Sequence, residues 1–529
     1  MAEQTLESGI VVRYPDGVRL TESGTRPDGL SAAPEAEEGH VTEPVMDVVA
    51  ASDEFSTVTV LEFQGKADRD GLGAAESVPQ RDSDEVELRL PLSPDENAVI
   101  LADSGGVLHW EYPEIVEESV QRGGMGAAAE TTRVAVFRSP YVPAADERQR
   151  PEGMGLFGDF LWKPVKKLVL RFAAKKTGQA VSEYLERNIR EGPILYFRDT
   201  NGRVVWEPVD SFAGVWSGSG ARRVLLFVHG TFSSVTGSFG GLITTDAGRE
   251  FLERALDSYD AVIGYDHKTL TRRVLQNAED LRDALDTLPD SDVTMDAIAF
   301  SRGGLVLRYL TEVLLPSHTR RFNLRKAVFV GCTNGGTKLA EPGNWKDLID
   351  LYTNLVAGTE RVIGLAGPSA ATASRIAGEA LRGLLSFVQY VVSEAITAEA
   401  VPGLASMDPH GTDVRRLNEQ QHGQPQPQQV SYYLVEANFD HRFFDQTSLA
   451  ERGLAKRLFL EFADGFIERL FSSAENDLVV DCEAMGHIDP WASDDWIQDR
   501  HEFAGDDGVY HTVYFNSSQV PQKLAAWLL

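Results

Sequence analysis

The chain has 529 residues, 42% of them hydrophobic and 25% charged, which is a globular composition in a chain too long for one compact core. Lys and Arg total 50 against 80 Asp and Glu, and the resulting formal net charge of −30 argues against nucleic acid as a partner. The two cysteines, Cys332 and Cys482, are too few for a disulfide framework or a thiolate metal cluster, and we expect neither a metal nor a cofactor.

The N-terminal third is predicted to contain three parts. Residues 1–54 are acidic and poor in large apolar side chains, so we expect most of them to be disordered. Residues 55–143 contain short, often alternating apolar runs that predict a small β-rich module. Residues 144–215 are expected to hold a linker, a basic amphipathic helix and a β-hairpin.

The predicted basic helix spans residues 162–182, which carry six Lys and Arg and no acid. A basic amphipathic helix can lie on an anionic membrane surface, so this segment is a candidate for peripheral membrane contact. The alternative is a helix that packs on its own domain or on the acidic N-terminal part. The N-terminal module is in turn a candidate for binding a protein partner.

No stretch of about 18 apolar residues occurs in the chain, and the first residues lack the basic and apolar segments of a secretory signal. We therefore expect a cytoplasmic protein.

A regular alternation of strands and helices begins near residue 194. Strand-like apolar runs occur at 224–228, 261–265, 295–300 and 327–331, and helical segments occur at 247–258, 275–288 and 303–315. This spacing predicts βαβ units and a parallel sheet, whose ligands bind at the carboxyl ends of the strands. Predicted helices at 345–400, followed by a Gln- and Pro-rich loop, suggest a cap inserted at about 343–429, before another strand.

The segment from Ala299 to Gly304 lies where a predicted strand ends and a helix begins, and it places the small residues Ala299 and Gly303 two positions before and after Ser301. This is the nucleophile-elbow pattern, in which a sharp turn exposes the serine above the sheet. The backbone N–H of Arg302 can then face a developing oxyanion, and Gly303 supports the turn. The alternative is an incidental turn serine, but the strand–turn–helix context favours a nucleophile.

A second loop, Val228 to Phe232, follows the first strand of the alternation. Its His229-Gly230 pair allows the backbone N–H of Thr231 to approach the same oxyanion. We expect His229 to be structural, with its ring tying this loop to a neighbour.

At this point the chain resembles the α/β-hydrolase superfamily, and within it the bacterial lipase-like serine hydrolases. The similarity covers roughly residues 220–529 and includes Pro402 to Pro409, Asn476 to Val480, and His511 to Phe515 before an apolar C-terminal helix. It implies a mostly parallel central sheet with helices on both faces, over residues 216–529, and a helical cap. It also implies that Ser301 is the nucleophile, His511 the general base and Asp477 the acid, in the chain order of this fold.

Two positions of this triad have alternatives. Asp440 follows a predicted strand almost directly and is the alternative acid, although the flanking Asn476 and the apolar residues after Asp477 favour Asp477. His487 and His501 are the alternative bases, but neither precedes the C-terminal helix as His511 does.

These features predict a serine hydrolase that forms an acyl-enzyme on Ser301 and cleaves carboxylic esters, with a small-molecule or lipid ester of medium or long acyl chain as substrate. Amidase, thioesterase, peptidase and acyltransferase chemistry would use the same residues. The alternative is an effector or scaffold protein whose hydrolase core is recruited through the N-terminal module.

Overall fold

The structure is a computed structural model. It describes residues 1–23, 43–65, 85–104, 106–120, 130–141, 165–174, 185–187, 189–200, 204–217, 220–289, 292–318, 322–365, 370–393, 399–419, 430–439, 475–488 and 496–529. The chain divides into two compact units, Met1–Gln179 with Val388–Ala395, and Ala180–Phe387 with Ile396–Leu529.

The first unit contains two five-stranded antiparallel sheets, ordered β1-β2-β5-β9-β8 and β3-β4-β10-β6-β7. Its elements are β1 (Ala2–Thr5), β2 (Val11–Tyr14), β3 (Val18–Ser23), α1 (Glu43–Ala50), β4 (Ser56–Gly65), β5 (Glu85–Leu92), β6 (Glu96–Ser104), β7 (Val107–Glu111), β8 (Glu114–Val120), β9 (Glu130–Pro140) and β10 (Val165–Ala173). Buried apolar residues from both sheets, among them Val12, Leu88, Ile100 and Phe137, form one core. Alternation along β5, where every second residue is buried, shows the pattern of a strand with one face in that core.

The expectation of disorder over residues 1–54 is wrong for the part of this stretch that the structure describes. Strands β1 to β3 and helix α1 lie here, and Ile10, Val12, Val45 and Val49 are buried. The average composition of 1–54 concealed these short apolar groups, because residues 24–42, which lie outside the described residues, dilute them. Strand β2 pairs with β5 and strand β3 with β4, so their stability comes from partners far along the chain.

The predicted basic amphipathic helix at 162–182 is also wrong, because residues 165–173 form strand β10. This strand lies between β4 and β6, and its apolar residues are buried. A short apolar run fits a buried strand as well as a helix, so periodicity could not separate the two. Lys167 is buried, its ammonium bound to Glu111 and to the Ser139 hydroxyl at 2.8 Å, so it belongs to a paired site rather than to a basic surface.

The second unit is built on an eight-stranded sheet ordered β12-β11-β14-β13-β15-β16-β17-β18. Its strands are β11 (Gly192–Arg198), β12 (Val204–Pro208), β13 (Arg222–Val228), β14 (Ala261–Asp266), β15 (Val293–Phe300), β16 (Phe322–Val330), β17 (Ser431–Ala437) and β18 (Ile497–Phe503). Neighbours from β14 through β18 are parallel, which confirms the predicted α/β class with a mostly parallel sheet.

The predicted hairpin before residue 216 forms, but it belongs to this sheet. Strands β11 and β12 pair antiparallel with each other, and β11 pairs antiparallel with β14. The boundary expected at 216 is therefore too late, since the sheet already begins at Gly192.

Helices of the second unit follow the strands. They are α2 (Val235–Phe239), α3 (Asp246–Ser258), α4 (Val274–Leu285), α5 (Gly303–Arg308), α6 (Trp345–Leu365), α7 (Ala370–Ser393, whose last residues cluster with the first unit), α8 (Pro402–Ala405), α9 (Thr412–Asn418), α10 (Cys482–Gly486) and α11 (Gln519–Leu528). The helix that begins at α5 continues as a π-helix over Tyr309–Leu314. Helices α6 to α9 are inserted between β16 and β17, where the sequence predicted a helical insertion.

Within the described residues, no helix combines the length and the apolarity needed to cross a bilayer.

Candidate active site

Ser301 occupies the sharp turn between β15 and α5. Its backbone φ is +52°, a left-handed conformation that is unusual and strained for a residue other than glycine. Two glycines make this turn sterically allowed. A Cβ on Gly230 would lie 2.8 Å from the Ser301 Cβ, and a Cβ on Gly303 would lie 2.3 Å from the carbonyl oxygen of Val228. Ser301 thus lies in a sharp turn at the carboxyl end of a parallel strand, but its side chain is buried and not exposed above the sheet as the sequence predicted.

The structure brings Ser301, His511 and Asp477 into one hydrogen-bonded line. The Nε2 atom of His511 lies 2.9 Å from Ser301 Oγ, and its Nδ1 atom lies 2.8 Å from Asp477 Oδ2. Each of the three side chains is at most 1% exposed. Residues separated by up to 210 positions in sequence thus meet at the carboxyl edge of the sheet.

Asp477 is held by several hydrogen bonds. Its Oδ1 atom accepts from the backbone N–H groups of Val479 and Val480 at 3.0 and 2.8 Å, and its Oδ2 atom also accepts from the Tyr514 hydroxyl at 3.0 Å. Burial and the Asp477 charge raise the pKa of Tyr514 well above its usual value, so the phenol stays a donor. These contacts orient one carboxylate oxygen toward His511.

The loop around Asp477 has an unusual backbone conformation, and Asn476 stabilises it. Leu478 has a φ of +82°, and the side chain of Asn476 accepts a hydrogen bond from the Leu478 N–H at 2.8 Å. Asn476 thereby stabilises a strained backbone next to the carboxylate.

The alternative residues take other positions. Asp440 lies outside the described residues. His501 lies within β18, where its ring packs against Phe503, and His487 follows α10. The ring that contacts the Ser301 hydroxyl belongs to His511.

His229 links two loops. Its Nε2 atom accepts a hydrogen bond from the backbone N–H of His267 at 3.0 Å, so Nδ1 carries the proton and donates to the Gly230 carbonyl at 2.9 Å. The two imidazoles stack with centroids 3.9 Å apart. Burial lowers the pKa of His229 to about 3, which keeps the ring neutral.

Arg302 follows the serine, and its side chain turns into the protein. One guanidinium nitrogen donates to the Arg272 carbonyl at 2.7 Å and to the Asn277 side chain at 2.8 Å, and Nε donates to the Gly403 carbonyl at 3.2 Å. Burial lowers its pKa to about 10, so the group stays charged at neutral pH. What Arg302 can offer a ligand at Ser301 is therefore its backbone.

A small pocket lies over Ser301, with a volume of about 10 Å³, which is room for roughly one water molecule. It is lined by Thr231, Ser301, Thr333, Thr337, Leu339, Ala340, Leu348, Tyr352, Leu404, Met407 and Val479. None of these side chains is charged, and the fully buried Thr333 hydroxyl has no hydrogen-bond partner within the described part of the chain.

Sequence reasoning missed Tyr352, which lies on α6 and lines this pocket. Burial raises its pKa, while a hydrogen bond with Ser301 acts in the opposite direction. No motif surrounds Tyr352, and only the fold brings it near the serine. Tyr514, by contrast, lies three residues after His511 and could have been noticed there.

In the described ranges, no three His, Cys, Asp or Glu side chains are grouped as metal ligands would be.

The mostly parallel sheet with helices between its strands makes the second unit an α/β structure. The hydrogen-bonded Ser301, His511 and Asp477 lie at the carboxyl edge of this sheet. The chain belongs to the DUF7379 family, described as a domain of unknown function, whose sequence profile matches residues 199–529. No curated protein matches the sequence.

Solved structures show weaker similarities. The mature lipase BlEst2 of Bacillus licheniformis is 16% identical, with 57% of this chain and 92% of that chain covered and a TM-score of 0.28. Phospholipase PlaB from Legionella pneumophila is 14% identical, covering 50% and 45% with a TM-score of 0.31. Lipase 1 from Pelosinus fermentans is 10% identical, covering 58% and 98% with a TM-score of 0.30.

Proposed function

We propose that this protein is a serine hydrolase of the α/β-hydrolase type that cleaves carboxylic esters through an acyl-enzyme on Ser301. The observation that carries the proposal is the hydrogen-bonded line from Ser301 Oγ through His511 to Asp477, with distances of 2.9 and 2.8 Å. Such a line fits a nucleophile, a general base and an orienting acid.

In the first half-reaction, Ser301 Oγ attacks the ester carbonyl carbon while His511 Nε2 takes the hydroxyl proton. Asp477 holds the Nδ1–H of the imidazole and stabilises the imidazolium that forms. The backbone N–H groups of Thr231 and Arg302 are assigned to the oxyanion of the tetrahedral intermediate. When the intermediate collapses, the ester C–O bond breaks and the leaving alcohol receives the proton from Nε2.

In the second half-reaction, water attacks the acyl-enzyme. His511 takes one proton of the water and returns it to Ser301 Oγ as the acid leaves. Serine and histidine end in their starting states, so the net reaction is ester plus water to acid plus alcohol.

The pocket supports a neutral, apolar acyl group. Leu339, Leu348, Leu404, Met407 and Val479 line it, and an acyl chain would contact these side chains. Because the present space holds about one water, we assign helices α6 and α7 to a cap whose movement would enlarge the pocket. Leu348 and Tyr352, which line the pocket, lie on α6 and would move with it.

Covalent labelling with a fluorophosphonate tests the proposal. We expect the intact protein to gain one adduct on Ser301, and Ser301→Ala to lose both the adduct and about 10⁴-fold or more of ester turnover. Ser317→Ala is the matched control, since the Ser317 hydroxyl donates to the Leu314 carbonyl within its own turn, and it should label like the wild type. An unlabelled wild type, or equal labelling of Ser301→Ala, would refute the proposed function.

A further inference from the structure

Glu186 is a buried carboxylate that binds the loop following β14. Its side chain accepts five hydrogen bonds from this loop, which we define as residues 267–272. The donors are the Thr269 N–H at 2.6 Å, the Thr269 hydroxyl at 3.2 Å, the Leu270 N–H at 3.0 Å, the Thr271 N–H at 3.0 Å and the Thr271 hydroxyl at 2.9 Å. Glu186 is 1% exposed and has a φ of +53°, so a desolvated charge is held in a strained backbone position.

Thr269 connects Glu186 to the loop that follows β13. Its hydroxyl accepts a hydrogen bond from the Phe232 N–H at 3.1 Å and donates its proton to Glu186. The direction is fixed because the carboxylate can only accept, which leaves the lone pairs of the hydroxyl for Phe232.

Phe232 needs such a restraint. It is a bulky residue with a φ of +56°, a conformation that costs on the order of 1–2 kcal/mol for side chains with a Cβ. It directly follows Thr231, whose N–H is assigned to the oxyanion above. Holding the Phe232 N–H therefore restrains the backbone one residue from a catalytic donor.

The second donor is tied to the same loop. The Arg302 guanidinium donates to the Arg272 carbonyl at 2.7 Å, and its charge interacts favourably with Glu186. Both residues that supply oxyanion donors are thus linked through loop 267–272, on opposite sides of Ser301 in sequence.

We propose that Glu186 is a positioning residue for the oxyanion hole, acting through loop 267–272, Thr269 and Arg302 on the backbones of Thr231 and Arg302. This inference rests on the proposed function. It assigns a role to a residue that precedes the segment matched by the family profile, residues 199–529.

The test compares two threonines that both donate to Glu186. Thr269→Val removes the hydroxyl that reaches Phe232, whereas Thr271→Val removes a hydroxyl that bonds the same carboxylate but not Phe232. Thr269→Ser restores the hydroxyl. For each protein, kcat and KM are measured with 4-nitrophenyl butyrate, and Tm reports stability.

We expect Thr269→Val to lower kcat about 10- to 100-fold with KM within about twofold, because the lost interaction acts on the transition state. Thr269→Ser should recover most of kcat, and Thr271→Val should lower kcat clearly less than Thr269→Val does, even where its Tm falls as far. Glu186→Gln should lower kcat as well, since its amide N–H₂ would face N–H donors. If that variant does not fold, the comparison of Thr269→Val with Thr271→Val still tests the inference.

The inference is overturned if Thr269→Val keeps kcat within about threefold, or if both valine variants lose kcat equally in step with Tm. Fluorophosphonate labelling separates this from failure of the proposed function. A wild type labelled at Ser301 alongside an unaffected Thr269→Val overturns only the role of Glu186, whereas an unlabelled wild type overturns both.

Discussion

At the scale of single residues, the proposed role of Asp477 as the acid can be tested by substitution. Asp477→Asn would place an amide N–H₂ or a weaker acceptor against His511 Nδ1 and disturb the tautomer that accepts the serine proton. We expect kcat for 4-nitrophenyl butyrate to fall by about 10⁴-fold with little change in Tm.

Tyr514→Phe provides the matched comparison, because it removes one donor to the same oxygen and leaves the carboxylate in place. Its cost should be about 1 kcal/mol, or roughly tenfold in rate or less. If Asp477→Asn instead keeps a tenth or more of the wild-type turnover, Asp477 is not the acid, and Asp440 becomes the residue to test.

Single residues also show what a sequence can predict about a site. Ser301, His511 and Asp477 lie in short segments with local requirements, a sharp turn or an Asx-stabilised loop, and these leave a pattern in the chain. Tyr352 and Glu186 satisfy contacts with residues far away in sequence, and a lone tyrosine or glutamate in a helical or irregular stretch carries no sign of them.

At the scale of elements, the close packing of α5 against β13 depends on Gly303, which has no side chain. Gly303→Ala would place a methyl group 2.3 Å from the Val228 carbonyl oxygen, so the strand or the helix must shift. We expect a loss of about 1–3 kcal/mol in the free energy of unfolding, seen as a lower Tm, together with reduced fluorophosphonate labelling.

Gly343→Ala is the control for this substitution, because among the described residues no atom beyond its two chain neighbours lies within 4 Å of the added Cβ. It should change stability by no more than about 0.5 kcal/mol. Equal Tm values for the two variants would show that the turn is looser than its backbone contacts indicate.

Elements were predicted best where the chain repeats a simple pattern. The runs at 224–228, 261–265, 295–300 and 327–331 all lie within, or extend one residue beyond, parallel strands, because a strand buried on both faces needs continuous apolar residues. Strand β10 has the same kind of run, but the six lysines and arginines counted over 162–182 favoured a helix. The buried Lys167–Glu111 pair, which only the fold reveals, explains one of those charges.

At the scale of the whole molecule, buried neutral histidines predict sensitivity to acid. Burial lowers the pKa of His229 from its ordinary value of 6.5 to about 3 in the folded state, and it lowers the pKa of His267 as well. Below pH 6.5 these two histidines bind protons in the unfolded chain but stay neutral in the folded protein. Stability is therefore fully present above pH 6.5 and falls as pH drops toward 3, by up to about 1.4 kcal/mol per pH unit for each histidine.

Urea midpoints at pH 7, 6 and 5 would measure this slope. His229→Gln keeps an acceptor for the His267 N–H and removes one titrating group, so its slope should be shallower than that of the wild type. Parallel slopes for the wild type and His229→Gln would contradict the assignment.

The overall class could be predicted because it depends on repeated βαβ patterning, whereas unit boundaries depend on pairing between distant strands. Strands β11 and β12 join the large sheet, and β2 joins β5, through partners that are remote in sequence. The local sequence of a strand does not show which distant strand it pairs with.

The small pocket over Ser301 has a consequence for the kinetics of any reagent that modifies this serine. Since this pocket holds about one water, the proposed cap predicts that a larger reagent reaches the hydroxyl only when Leu348 and Tyr352 on α6 move. At high reagent concentration, inactivation then proceeds no faster than this displacement, and small and bulky reagents approach one common limiting rate. The serine would in that regime report the frequency of a helix movement rather than its own nucleophilicity.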